Sequence, residues 1–560
     1  LNIERRFGQS PAKSFIRATQ NSTKSLSAEA LVDAKGDERR LRLWTDDGSD
    51  EAYTQPTFPS EWSADTLRAT VRRELSGAEF IVVSNREPYV HEHQGEDIVV
   101  RRPASGLVSA LEPILRATGG VWIAHGSGSA DRDVIDALDH VSVPPEDPSY
   151  TLRRVWLSED DVAGFYDGFS NEALWPLCHL AFVQPTFRQA DWDRYNAVNR
   201  RFADVVASEA KSTNPVIFVQ DYHFALLPRL LRQKLPAATI VTFWHIPWPS
   251  ADMLAICPWA QEILDGLLGS SIVGFHTPSH CSNFNEAIAR FFPSTERRGA
   301  TAHSSAEDST KVRAFPISIA WPQKALDATP SPAECRQRLI TAHGLPIDVK
   351  IAVGMERLDY TKGIPERLRA IELLLEQHPN RIGRFALIQV AAPSRSHLAD
   401  YRGLRDEVRS LADRINARFG VARLPKPITI LAEHHDADDM MLLHRAADVA
   451  IVTSLHDGMN LVAKEFIAAR DDERGVLVLS CFAGAARELG EALIVNPFDI
   501  GNFAQVLNDA LLMPAKEQQS RLRPMRARVR HDNVYRWAGT LLQEAARIRR
   551  REEYRAWTGS

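Results

Sequence analysis

The 560-residue sequence predicts an α/β protein built from two doubly wound domains that face each other across a cleft. Three observations carry this. The length exceeds what one hydrophobic core usually covers. Apolar runs of strand length alternate with helical segments in two separate stretches of chain, as parallel sheets covered by helices require. Between the stretches, Pro316, Pro322, Pro330 and Pro332 mark a crossing in which neither a helix nor a central strand can persist.

Taken in order, residues 1–76 are polar, charged and rich in Ser and Thr, and predict a poorly packed N-terminal extension. Residues 77–322 form the first domain, with strands at Phe80–Ser84, Val121–Ala124, Val216–Val219, Ile240–Trp244 and Ile272–Phe275. Residues 323–518 restart the pattern, with strands at Ile351–Val353, Phe385–Val390, Ile428–Leu431, Val449–Val452, Val476–Leu479 and Leu493–Val495. Residues 519–560 predict a basic helical tail that crosses back to the first domain.

A formal net charge of -5 gives the chain no overall basic character to suggest nucleic acid, so none is expected as a partner. No apolar run reaches transmembrane length, and Leu1–Arg6 lacks the apolar centre of a secretory signal, so no membrane partner is expected either. Cys178, Cys257, Cys281, Cys335 and Cys481 are odd in number and widely spaced. They predict neither a disulfide framework nor a metal cluster, and point to a reducing cytoplasm.

The chemistry concentrates at two strand ends. Val449–Ser454 turns through Leu455-His-Asp-Gly-Met-Asn460 into the helix that begins at Leu461. Asn460 reads as its N-cap, so the amides of Leu461 and Val462 lack intrahelical acceptors and meet the positive helix end, which makes an anion site. Asp457 stands ready to accept from hydroxyls, and Glu465, one turn into the helix, suits a vicinal diol such as a ribose. After Lys350–Met355, the segment Glu356-Arg-Leu-Asp-Tyr-Thr-Lys-Gly363 brings Arg357 and Lys362 to the same edge, where ligands of open α/β sheets bind. Two cations there suit a diphosphate.

These segments resemble retaining glycosyltransferases with two Rossmann-like domains, the GT-B fold. Val82-Val-Ser-Asn-Arg86, Tyr166-Asp-Gly-Phe-Ser-Asn-Glu-Ala-Leu-Trp-Pro176, Val219-Gln-Asp-Tyr-His223, Trp244-His-Ile-Pro-Trp-Pro249 and Ala392-Pro-Ser-Arg395 follow in the order of the trehalose-6-phosphate synthase family, over residues 78 to 545. The resemblance implies transfer of glucose from UDP-glucose to glucose 6-phosphate with retention of anomeric configuration, UDP and a phosphorylated disaccharide as products, and a homo-oligomer. It implies front-face attack, in which a leaving phosphate oxygen takes the acceptor's proton. Arg357 and Lys362 would stabilise the departing diphosphate, Asp457 would hold the transferred glucose, and His245 would contact one of its hydroxyls. Gly106, Gly458, Met459, Asn460, Leu461, Val462 and Glu465 would complete the donor site, with Met440 lining the base pocket. Arg86, Tyr166, Trp175, Asp221 and Arg395 would hold the acceptor. Arg86 and Arg395 lie on different halves, so they clamp a phosphate only when the halves close.

Two positions depart from the family pattern. Ser105 replaces one glycine of a pair, leaving Gly106, and His125 stands where tryptophan is common. A related transferase with another acceptor, such as a cyclitol or glycerol phosphate, or with another nucleotide donor, therefore stays open. So does a catalytically silent regulator that binds sugar phosphate. No cofactor and no metal ligand set is expected, because no Asp-X-Asp follows a suitable strand and Asp438-Asp439 reads as a helix start.

Overall fold

The computed structural model describes residues 61–75, 77–102, 106–293, 310–323, 326, 329–421 and 426–558. Residues 1–60, and Ser105 with them, lie outside the described residues.

The expected extension stops short of residue 76. Helix α1 (Ala64–Glu74) begins at a Ser63 capping box and buries Leu67 and Val71, with Trp62 buried just before it. Only a few apolar side chains point inward, so the surrounding polar residues hid the helix at the level of sequence.

The first half carries β1 (Phe80–Val83), β2 (Val90–Gln94), β3 (Asp97–Arg101), β4 (Val121–His125), β5 (His140–Val143), β6 (Tyr150–Val155), β7 (Val216–Gln220), β8 (Thr239–Phe243), β9 (Ile272–Phe275) and β10 (Lys311–Ala314). Eight of them form a sheet in the order β10-β9-β8-β7-β1-β4-β6-β5, parallel except for β5, while β2 and β3 pair as a separate hairpin. The second half carries β11 (Lys350–Arg357), β12 (Phe385–Ala392), β13 (Ile428–Leu431), β14 (Val449–Val452), β15 (Val476–Ser480) and β16 (Leu493–Val495) in the parallel order β13-β12-β11-β14-β15-β16. All eleven predicted strands are present. The inner strands read as unbroken apolar runs because helices cover both faces.

Helix α2 (Gly106–Thr118) follows the hairpin, and α3 (Leu461–Ala469) follows β14. Helix α4 (Ala515–His531) packs on α3, whereas α5 (Val534–Thr558) lies against α1, α2 and β8. Asn533, at the break between them, donates to the Trp62 carbonyl at 2.8 Å and accepts from the amides of Tyr535 and Arg536. Among the described residues no helix is long and apolar enough to cross a membrane.

Candidate active site

Strands β11 and β14 are neighbours, so the segments leaving their C-terminal ends must meet. Lys362 Nζ donates to Asp457 Oδ2 at 2.6 Å, and Ser454 Oγ and Asn460 Nδ2 reach the same oxygen at 3.1 and 3.2 Å. Burial opposes the charge on Asp457, but the Lys362 ammonium outweighs it and holds the carboxyl far below its ordinary range. One of the three donors of Lys362 is thus already engaged, which the sequence alone did not indicate. Asn460 caps α3 through Oδ1 to the Ala463 amide at 3.2 Å, at a φ of 77°. The amides of Leu461 and Val462 are left without intrahelical partners.

Glu465 is half-buried, and its carboxylate forms no hydrogen bond or ion pair with the described residues. Burial pushes its carboxyl up to about 7. Met459 turns its side chain into the core, while Met440 is half-buried at the core's edge. Gly458 packs against the first half: a Cβ there would stand 2.5 Å from the His245 carbonyl oxygen.

His245 closes the floor of the cleft. Its Nε2 pairs with Gln220 Oε1 at 2.8 Å, its amide donates to Asp221 Oδ1 at 3.2 Å, and burial holds the imidazole neutral by lowering its pKa to about 3. Asp221 adopts φ 71°, outside the comfortable range for a residue with a side chain. Oδ1 also takes the Tyr222 amide at 2.9 Å, and Oδ2 accepts from no described residue. Burial raises the carboxyl to about 6.

Arg395, at φ 47°, reaches across the cleft from the second half. It donates to Asp359 Oδ2 at 3.3 Å, to the Tyr401 hydroxyl, and to the Tyr222 hydroxyl of the first half at 3.4 Å. Its guanidinium lies 4.3 Å from the centre of the Trp175 ring, with Arg357 at 5.7 Å from the same ring. Tyr166 sits on a run of wide π-type turns, Val162–Leu174, that leads into Trp175. Burial would raise its phenol, but Arg395, Arg86 and Arg357 together hold it below its ordinary value. The two halves therefore already stand closed around this group. A further cross-cleft pair joins His397 to Asp167 at 3.0 Å.

Four cations converge here, and two are neutralised: Lys362 by Asp457 and Arg395 by Asp359. Arg86 and Arg357 have no carboxylate partner among the described residues. One lies on each half.

Gly106 begins α2, next to residues outside the description. His125 is held by the neighbouring strand, Nδ1 donating to the Val155 carbonyl at 3.2 Å. Sequence reasoning missed Asp359, His223 and Tyr401. Asp359 and His223 lay inside the motifs that were read: Asp359 is the buried counterion of Arg395, and His223 stacks on Tyr166 with ring centres 5.6 Å apart. Tyr401 had no such signal. It missed as well a buried cluster beneath the loop after β1, where Arg154 binds Glu87 at 2.9 Å and Asp131 at 2.8 Å.

Residues 78–547 match the model of glycosyltransferase family 20. The trehalose-6-phosphate synthase of Mycobacterium avium is 38% identical over 488 residues, covering 86% of this chain and 97% of its own. That of Mycolicibacterium vanbaalenii is 40% identical over 479 residues, 84% and 96% of the two chains. A solved E. coli structure bound with UDP-2-fluoro glucose superposes with a TM-score of 0.73 at 31% identity, covering 84% of this chain and 99% of its own. A Burkholderia xenovorans α,α-trehalose-phosphate synthase (UDP-forming) in complex with glucose-6-phosphate gives 0.70 at 30% identity, covering 83% and 99%. With this match running through both halves and the cleft between them, the chain belongs to glycosyltransferase family 20.

Proposed function

We propose that this chain transfers glucose from UDP-glucose to glucose 6-phosphate, releasing UDP and α,α-trehalose 6-phosphate. The observation that carries the reading is the pair of guanidiniums with no carboxylate partner among the described residues, Arg357 on the second half and Arg86 on the first. A cleft that keeps a guanidinium free of a direct ion pair on each half, both acting on Tyr166, suits two anionic ligands, one held by each half. The names of the relatives, and the donor analogue and acceptor bound to the solved neighbours, supply the same two classes.

In this reading the diphosphate lies between Arg357, the remaining donors of Lys362 and the start of α3, where negative charge grows as the glycosidic bond breaks. Glu465 takes the ribose and Asp457 the transferred sugar. Arg86, Arg395 and Tyr166 grip the acceptor phosphate, and the free Oδ2 of Asp221 accepts from acceptor hydroxyls. His245, held neutral, serves as a hydrogen-bond partner of the transferred sugar and not as a proton store. The homo-oligomer rests on the family resemblance, and the cytoplasmic assignment is supported by five unpaired cysteines.

UDP release measured with and without glucose 6-phosphate tests the function. Acceptor-dependent release supports it, release dependent only on another phosphorylated acceptor overturns the acceptor, and no release under any condition returns a silent regulator.

Glu465 gives the reading a pH signature. With its carboxyl raised to about 7 by burial, it is protonated below that pH and charged above it. A diol donates to the charged form, so donor binding weakens as pH falls through 7. KM for UDP-glucose is expected to rise about eightfold between pH 7.5 and 6, the ratio of ionised fractions. Glu465→Gln is expected to flatten that dependence in the same steady-state assay.

A further inference from the structure

One set of contacts has no place in the chemistry above, yet it joins the two substrate sites. The loop Cys178–Phe182 follows Trp175 in the first half and rests on the second. Its Leu180 amide donates to His456 Nδ1 at 3.2 Å, across 276 residues of sequence. The Cys178 backbone faces the same ring. His179, 3% exposed, sets its ring edge-on to that of His456, with centres 6.1 Å apart, and pairs its Nδ1 with the Trp175 carbonyl at 2.8 Å. Further along, Phe182 is 89% exposed and adopts φ 59°, an unfavourable backbone for a bulky residue. It stands edge-on to Phe498 of the second half, and Phe498 to Phe482, each 6.0 Å between centres.

We propose that His456 is a positioning residue of a latch that holds the cleft shut, binding the Cys178–Phe182 loop only as the neutral imidazole. Resting on the glycosyl-transfer reading, this extends it to how the two sites are kept in register. On one side His456 is joined directly to Asp457 and so to Lys362. On the other, through His179, it reaches the Trp175 ring over which Arg395 and Arg357 lie. Opening the latch therefore displaces the acceptor grip relative to the diphosphate grip without removing a group from either.

The sign of the pH effect follows from donor and acceptor roles. A backbone N–H can only donate, so His456 Nδ1 must carry a lone pair and Nε2 the proton. Protonation places an N–H at Nδ1 against the Leu180 N–H, and the bond becomes a repulsion. The titratable groups around the ring are Asp457 on its own turn, which together with the Cys178 backbone favours protonation, and His179 and His280 from the first half, which burial keeps neutral; burial of His456 itself is the larger effect and holds its pKa below the ordinary value. Arg487 stands beyond His280. Closure is thus maintained at neutral pH and lost on the acid side.

The test compares the parent with His456→Ala and His456→Gln, using kcat and KM profiles from pH 5 to 8 and hydrogen exchange at the Leu180 amide in the presence of both substrates. The alanine variant is expected to lose about five- to tenfold in kcat, the scale of one neutral hydrogen bond, with each KM within twofold and faster Leu180 exchange. The glutamine variant, whose amide oxygen can accept but cannot be protonated near neutrality, is expected to keep kcat at pH 7.5 and to retain Leu180 protection at acid pH, where the parent loses it. An alanine variant with unchanged Leu180 exchange, or a glutamine variant that loses protection in parallel with the parent, overturns the latch. Exchange is read independently of turnover, so an absence of UDP release would defeat the functional reading and leave this test intact.

Discussion

Arg357→Ala is expected to lower kcat for UDP release by about 10²- to 10³-fold, the range found on removing one preorganised donor from a developing negative charge. The reason lies in what Arg357 does not do. Arg395 is held by Asp359, and Lys362 by Asp457, so both have counterions before any ligand arrives. Arg357 makes no direct ion pair with a described carboxylate and lies 5.7 Å from the centre of the Trp175 ring. Its guanidinium is the one on the second half of this cleft without a direct ion pair among the described residues, with Asp359 acting on it only at longer range, and the charge of the leaving diphosphate, which peaks in the transition state, is its complement. KM for UDP-glucose is expected to change less than kcat, because the ribose contact through Glu465 and the amides at the start of α3 remain. Lys362 cannot take over, since moving it leaves the buried Asp457 carboxylate unpaired. Steady-state UDP release by the purified variant, with its thermal melting compared to the parent, checks this. A fall confined to KM would reassign Arg357 to ground-state binding.

Much of this site was legible because it is local. A strand end, a capping Asn460 and Glu465 one turn later stand in one short segment, and Arg357 and Lys362 in another. Their geometry follows from a strand, a turn and a helix start. Family order extended that reading to Arg86, Tyr166, Trp175, Asp221 and Arg395. What stayed hidden depends on which segments meet in space. Lys362 and Asp457 pair because β11 and β14 are adjacent, a fact of sheet order that no single segment contains. The alternation of apolar runs likewise found the central strands and missed β6, Tyr150–Val155. Its Arg153 and Arg154 interrupt the apolar run, yet Arg154 is fully buried against Glu87 and Asp131. A buried arginine is legible only with its counterions, here 67 and 23 residues away in sequence. The strained conformations follow the same rule. Asp221, Arg395 and Asn460 all hold positive φ, and the contacts that sustain it are tertiary.

Gly458→Ala is expected to reduce kcat by about 10²-fold through geometry alone. The added methyl would lie 2.5 Å from the His245 carbonyl oxygen and 3.0 Å from His276 Cδ2, both on the opposite half. Neither can yield cheaply. The carbonyl is backbone and accepts from His276 Nε2 at 3.0 Å, and Trp244 and His276 on either side are buried. Gly458 does not occupy the left-handed region, so its own backbone tolerates alanine and the cost is contact across the cleft. Relief requires the halves to part by something near 1 Å, and a displacement of that size between reacting groups costs about 10² in rate. Lys362, Asp457, Asn460 and Glu465 all lie on the same half as residue 458, so donor binding should survive while transfer fails. Gly403→Ala, on the helix Ala399–Phe419 with nothing within 4 Å of its added methyl, is the matched control and is expected to retain parental activity. A Gly458→Ala enzyme with kcat within twofold of the parent would show that the halves do not need this approach for glucosyl transfer, and that the contact with His245 belongs to the resting form alone.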